Sequence, residues 1–309
     1  MAITGACLVL FVTFHCLMNA IAICWPTAYN LVCEFLGANW YALVASVILA
    51  ALFIIHIIYA VWLTVMNRKA RGNDRYAITK KPKSVEWSSQ NMLVLGIVIL
   101  AFLVVHLIQF WAKMQLQEIR GVEGALPPQA GTLFIQEAFS VIYTPIIYII
   151  GFIALWFHMN HGFWSMFQSV GWDSTVWIPR LKKIACWWSS IVIALFIIQA
   201  IVFTVKANEG YYKTNEDLRE QYKEMLAPVF KASFGAQAEQ SINMMSYNDL
   251  SAMTRQTLSQ MENPEVKAAN ASNPDFQKQY DTFKHAGELF DYLEGPQANT
   301  PQPFNPNMQ

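Results

Sequence analysis

The sequence predicts an all-α membrane protein, with five transmembrane helices followed by a helical, water-soluble extension. Three observations predict it. Of 309 residues, 55% are apolar and only 14% are charged, against about a quarter charged in typical soluble domains. Charge is missing from long stretches. Apart from Glu34, no Asp, Glu, Lys or Arg occurs from Met1 to Asn67, and none occurs in 87–112, 138–172 or 184–205. Net charge is zero but unevenly spread: residues 1–205 hold 12 basic and 7 acidic side chains, and residues 206–309 hold 9 and 14. This composition excludes a disordered chain, a nucleic-acid binder and an ordinary soluble enzyme.

A helix needs about 20 apolar residues to cross the hydrocarbon core. The expected spans cover about 2–25, 40–66, 89–112, 136–167 and 184–206. Pro26 ends the first. Pro145 falls inside the fourth and is expected to kink it, because proline removes a backbone hydrogen bond. The first span lacks a basic leader and carries a mid-span histidine, so it does not read as a cleaved signal peptide. The abrupt apolar start is expected to reflect a start further upstream or a trimmed leader. The five cysteines (Cys7, Cys16, Cys24, Cys33 and Cys186) lie in or beside apolar stretches. They read as helix-packing residues, with a Cys24–Cys33 bridge open as an alternative on an oxidising face.

Orientation follows from the loops. Residues 67–83 carry seven basic side chains and 168–183 carry three, whereas 26–39 and 113–137 carry two between them. The positive-inside rule places the first two loops in the cytoplasm. The N-terminus is then inside and, with five spans, the C-terminal part is outside. The expected domains are 1–206 in the membrane, 207–294 as amphipathic helices and 295–309 as a disordered tail. Helices are expected over 213–231, 237–262 and 275–293, the last opened by Asn273-Pro274 and marked by Phe276, Tyr280, Phe283 and Phe290 at helical spacing.

Ionisable groups inside a membrane are costly and mark function. His15, His56, His106 and His158 fall one in each of the first four spans. Neutral imidazole is a standard haem-iron ligand, and two bis-histidine haems need four. Depth sorts them. From the outer helix ends, His15 lies about 16 Å deep, His106 about 10 Å, His56 about 24 Å and His158 about 31 Å at the usual helical rise. His15 and His106 form an outer pair; His56 and His158 form an inner pair. Gly151, two turns before His158, is expected to let a flat macrocycle approach. His161, one turn beyond His158, is the rival inner ligand.

Together these residues resemble the di-haem cytochrome b (b558-type) membrane anchor of succinate:quinone and quinol:fumarate oxidoreductases. The resemblance is carried by His15–Asn19, by Ile55–Tyr59, by His106 and by Phe157–Ser165, where His158, Gly162 and Trp164 form a fairly specific spacing. It covers about 1–206. It implies two haem b groups, with ligands paired first helix to third and second to fourth. It also implies a bacterial cytoplasmic membrane, a flavoprotein partner that interconverts succinate and fumarate, an iron–sulfur partner, and electron exchange with quinone, usually menaquinone. Relatives commonly carry Asn at the position of His161. Some carry a proton-moving Glu where Trp156 stands, so that proton route is not carried over.

Relatives of the fumarate reductase type have a Glu in the outer loop that accepts a quinol proton; here the matching residue is Glu34, which reads equally as an interfacial carboxylate facing water. Asn30, Gln109 and Trp111 are weaker quinone contacts or interfacial anchors. Arg180, Lys182 and Lys183, beside the fifth span, are candidates for a haem propionate or for lipid headgroups. Two other functions stay open: a cytochrome b anchor of a different dehydrogenase, such as formate dehydrogenase or hydrogenase, and a histidine-relay transporter for protons or metal. The extension has no function assigned from its sequence.

Overall fold

A computed structural model describes residues 1–72, 86–121, 124 and 126–295, and the described residues are helical with no strand. Arg75, Lys80, Lys81 and Lys83 of the basic loop, and all but Gly295 of the expected disordered tail, lie outside the described residues. Five helices are long and apolar enough to cross a membrane. They are α1 (Ala2–Cys24), α3 (Trp40–Arg71), α5 (Met92–His106) with its continuation Leu107–Trp111, α8 (Tyr143–Ser169) and α9 (Trp177–Asn208). Their outward faces carry exposed Ile54, Ile58, Trp62, Ile97 and Ile150. In water such surface would drive association; against lipid it costs nothing.

Short helices link the spans. Helix α2 (Pro26–Ala38) begins with Pro26 at its first position, where the missing N–H is no loss. Next come α4 (Trp87–Gln90), α6 (Gln115–Arg120) and α7 (Gly131–Phe139). Within the bundle, α8 packs on α1, α5 and α9, while α3 leans mainly on α1 and has no buried residue. Phe152 of α8 stacks on Phe196 of α9 at 5.1 Å. Cys16 ties α1 to α9: its thiol faces the Val192 carbonyl at 3.6 Å, and Gln199 Nε2 donates to the Cys16 carbonyl at 2.9 Å. That clamp sets the rotation of α1 and turns the neighbouring His15 towards α5. All five cysteines are free, so the Cys24–Cys33 alternative is not realised.

The expected fourth span divides in two. Residues 131–139 form the separate helix α7, eight of whose nine residues are buried. Membrane helix α8 starts only at Tyr143, which leaves Pro145 in its first turn. There the ring displaces no intrahelical bond, so the expected kink has no cause.

Beyond α9 the chain forms α10 (Tyr211–Thr214), α11 (Glu216–Phe234), α12 (Ala236–Met244), α13 (Tyr247–Met261), α14 (Pro264–Ala269) and α15 (Pro274–Glu294). The single helix expected over 237–262 is broken, because Ser246 caps α13 by accepting from the Asp249 nitrogen. Helix α11 holds the break: Lys223 Nζ donates to the Met245 carbonyl at 2.8 Å, and Glu220 accepts from the Tyr247 nitrogen at 2.8 Å. Asn273 caps α15 from Asp275 and Phe276, as its Asn-Pro start suggests. Phe290 is fully buried, and Phe283 meets Phe230 and Phe234 of α11. These helices cover the end of the bundle that carries α2 and α7.

Candidate functional site

Four helices bring their histidines together in twos. The His15 ring of α1 and the His106 ring at the end of α5 have centroids 5.8 Å apart and planes at 86°. The His56 ring of α3 and the His158 ring of α8 lie 6.2 Å apart at 59°. Because α8 starts at Tyr143, His158 is fifteen residues along it, about 22 Å, against about 24 Å for His56 sixteen residues along α3. The inner pair is therefore level, and the greater depth expected for His158 is corrected.

The separations can be compared with a metal between the rings. Imidazole nitrogen binds a metal at about 2.0–2.1 Å. Adding roughly 1.1 Å from nitrogen to ring centre on each side gives about 6.3 Å between centroids. Both pairs fall close to this value. Among the described residues, no three or more His, Cys, Asp or Glu side chains gather to hold a bare metal ion; the histidines stand only in facing twos.

Ligation also needs one nitrogen of each ring free and the other satisfied. His106 Nδ1 lies 3.1 Å from the Tyr148 hydroxyl, and His56 Nδ1 lies 3.2 Å from Thr4 Oγ1. In both, Nδ1 is engaged and Nε2 remains for a metal. His158 Nδ1 is buried without a partner. Phe102, Phe110 and Tyr148 surround the His106 ring at 5.3–6.0 Å, and Phe11 and Phe196 flank His15.

The residues after His106 form a π-helical turn, Leu107–Trp111, in which the Ala112 nitrogen donates to the Leu107 carbonyl at 2.8 Å. Such one-turn insertions recur at functional sites. This one carries Gln109, which accepts from the Tyr148 hydroxyl at 2.9 Å and donates to Thr144 at 3.1 Å. Gln109 thus braces the histidine's neighbour, a role different from the interfacial anchor expected. Gly151 is also reassigned. A Cβ there would collide with the Phe102 side chain, so the glycine admits Phe102 beside His106 and presents no open face.

His161 turns away from the inner pair. Its Nδ1 lies 3.2 Å from Glu86 Oε2, and Lys182 Nζ meets the other oxygen of Glu86 at 2.6 Å. Partial burial pushes the Glu86 carboxyl up, but the hydrogen bonds from Lys182 and His161 outweigh it and hold the group below the usual carboxylate range. Lys182 also sits 4.2 Å over the Trp164 ring. Together Glu86, Trp87, Asn160, Trp164 and Lys182 line a cleft between the start of α4, α8 and α9. Arg180 and Lys183 are exposed, and Arg180 lies over Trp177 at 5.4 Å.

At the opposite end Glu34 is exposed on α2. Glu118 of α6 stands over Gly37, where a Cβ would come within 2.9 Å of Glu118 Oε1. Burial, then the charge of Glu34, raises the Glu118 carboxyl above its ordinary value. Asn30, expected at the interface, is fully buried and bonded to Thr132 and Gln221. Sequence reasoning missed Glu118, Tyr148, Thr4 and Glu86. Only the scarcity of acids beside the spans gave any signal, and only for Glu86 and Glu118. No family model, curated protein or solved structure matches the chain.

Proposed function

We propose that the chain is the membrane-anchor cytochrome b subunit of a succinate dehydrogenase or fumarate reductase. In this reading it carries two bis-histidine b haems and passes electrons between an iron–sulfur subunit and menaquinone. The observation that carries the reading is the pair of facing imidazole couples, one His from each of four apolar helices, at a separation suited to an iron between them. A bound haem supplies a one-electron carrier at each level. The chain's own residues do the rest. His15 and His106 offer an outer ligand pair, and His56 and His158 an inner one. Tyr148 and Thr4 occupy the second nitrogens of His106 and His56. The surrounding Phe rings exclude water and offer flat apolar surface.

The resemblance supplies the partners: a flavoprotein for the dicarboxylate and an iron–sulfur protein docked on the cytoplasmic side. Glu34 and Glu118, on the outer side with His106, are the groups available to take quinol protons. Lys182, in its cleft, is the cation offered here to an inner propionate. The protein purified from membranes should give two non-covalent b haems per polypeptide by pyridine haemochrome analysis, with low-spin spectra before and after dithionite. One haem or none would overturn the reading. A flavin-containing subunit should co-purify; a different dehydrogenase in its place would assign the anchor to another complex.

A further inference from the structure

The hydrogen bonds behind His106 run in one direction. Gln109 Nε2 donates to Thr144 Oγ1 at 3.1 Å, and Thr144 is fully buried. That leaves the Gln109 oxygen for Tyr148, and an amide oxygen only accepts. The Tyr148 hydroxyl therefore spends its one proton on Gln109, at 2.9 Å. The phenolic oxygen can then meet His106 Nδ1, 3.1 Å away, only as an acceptor. With the Gln109 carboxamide in this orientation, Nδ1 carries the proton and the Nε2 lone pair is bare. The inner pair has one support of the same kind: Thr4 donates to the Met1 carbonyl at 3.0 Å and accepts from His56, while His158 Nδ1 is buried with no partner.

We propose that Tyr148 is a positioning residue of the outer centre: oriented by Gln109, it holds His106 in the Nδ1–H tautomer and makes His106 a more electron-donating ligand. The inference rests on the haem reading above. An acceptor on Nδ1–H raises the basicity of the ligating nitrogen, which favours oxidised iron. Both Tyr148 and Gln109 lie on elements flanking the ligand, and the π-helical turn is what brings the Gln109 carboxamide to the phenol.

The test is Tyr148→Phe in the purified complex, followed by haem content and by redox titration of each haem. His106→Ala identifies the outer spectrum. Phenylalanine keeps the ring contacts with Phe102, Phe139 and Phe152 at 5.0–5.9 Å, so only the hydroxyl is lost. The expected result is two haems, an upward shift of the outer potential and an unmoved inner potential. Gln109→Leu, which frees the phenol to turn, should shift the outer haem the same way. Thr4→Val should move only the inner haem. If Tyr148→Phe retains its outer haem poorly, a loss of about 10–100-fold in affinity, Gln109→Leu still reads the potential. An unmoved outer potential in both variants, or equal shifts of both haems, overturns the inference alone. A wild-type preparation without haem overturns the functional reading and this inference with it.

Discussion

Asn30 Oδ1 accepts two hydrogen bonds from one residue, Thr132: its backbone nitrogen at 3.0 Å and its hydroxyl at 2.9 Å. Asn30 Nδ2 then donates to Gln221 Oε1 at 2.9 Å, and the Thr132 hydroxyl lies 2.7 Å from that of Tyr222. Asn30, Thr132 and Tyr222 are all fully buried. The cluster joins α2, α7 and α11, so it fastens the C-terminal helices to the end of the bundle. Buried donors left without acceptors cost about 1–3 kcal/mol each. Asn30→Ala should therefore lower thermal stability and speed protease cleavage within 216–294. Tyr222→Phe should do so more mildly. Unchanged digestion in Asn30→Ala would show that the docking does not depend on this cluster.

The histidine pairs should be separable. Replacing one imidazole by Ala removes a ligand without touching the other level. His106→Ala and His56→Ala should each reduce haem content from two per chain to one, with different residual spectra. In the proposed complex, His106→Ala should also cut quinone turnover, while the proposed flavoprotein keeps succinate oxidation with an artificial acceptor. Retention of both haems in either variant counts against axial ligation by that histidine.

Glu34 and Glu118 repel across Gly37. A carboxyl raised in the folded state contributes its stability below its unfolded value and loses it as pH rises through the folded one. For Glu118 that loss begins above the usual 4.5. Glu34→Gln removes the repulsion, so stability should fall less as pH rises from about 4.5 towards neutrality. The same substitution should preserve both haem spectra and slow the quinone half-reaction. Altered haem content with normal quinone turnover would remove Glu34 from the proton-accepting role.

Glu86 has the opposite sign. Its carboxyl is depressed in the fold, so its contribution is present above the usual 4.5 and is lost as pH falls through the lower folded value. Glu86 and Lys182 are each more than a third exposed, and solvent screening limits such a pair to about 0–1 kcal/mol. Glu86→Gln should therefore flatten the acid limb of the thermal stability profile and shift neutral-pH stability only slightly. An acid limb identical to wild type would assign that pH dependence to other carboxylates.

The legible parts of this chain were those set by one-dimensional pattern. Long uncharged stretches marked the spans, and one histidine per helix at two depths named which rings meet. Contacts set by helix rotation were not legible. Tyr148 and Thr4 lie 42 and 52 positions from the histidines they touch, and nothing in their neighbourhoods distinguishes them from other apolar-helix residues. The π-helical turn that aims Gln109 leaves no mark on hydropathy. Residues 131–139 read as the start of a span because they are apolar. Their apolar faces are instead buried beside α2 and the end of α9, and the Thr132–Tyr222 contact ties them to α11. Phe102, the neighbour that Gly151 admits, lies on another helix and leaves no mark beside the glycine in the sequence.

Topology supplies the last test. Helices α2 and α7 and the end of α9 share one face, where Gln136 donates to the Ala207 carbonyl at 2.6 Å and Lys206 to the Ile23 carbonyl at 2.9 Å. The C-terminal helices dock on that face, away from the basic last turn of α3, which carries Arg68, Lys69 and Arg71. With the basic loops inside, as the positive-inside rule expects, the proposed orientation puts α10–α15 outside. In that proposed orientation the inner histidine pair lies nearer the cytoplasmic face, where the proposed iron–sulfur partner would dock, and the outer pair shares its side with Glu34 and Glu118. Protease added to spheroplasts should cut beyond about residue 207 and spare the 67–83 loop. Cleavage of the C-terminal helices only in inside-out vesicles would invert the orientation. It would also make His15 and His106 the pair nearest the peripheral subunits, and so reverse the order of the two centres in the electron path.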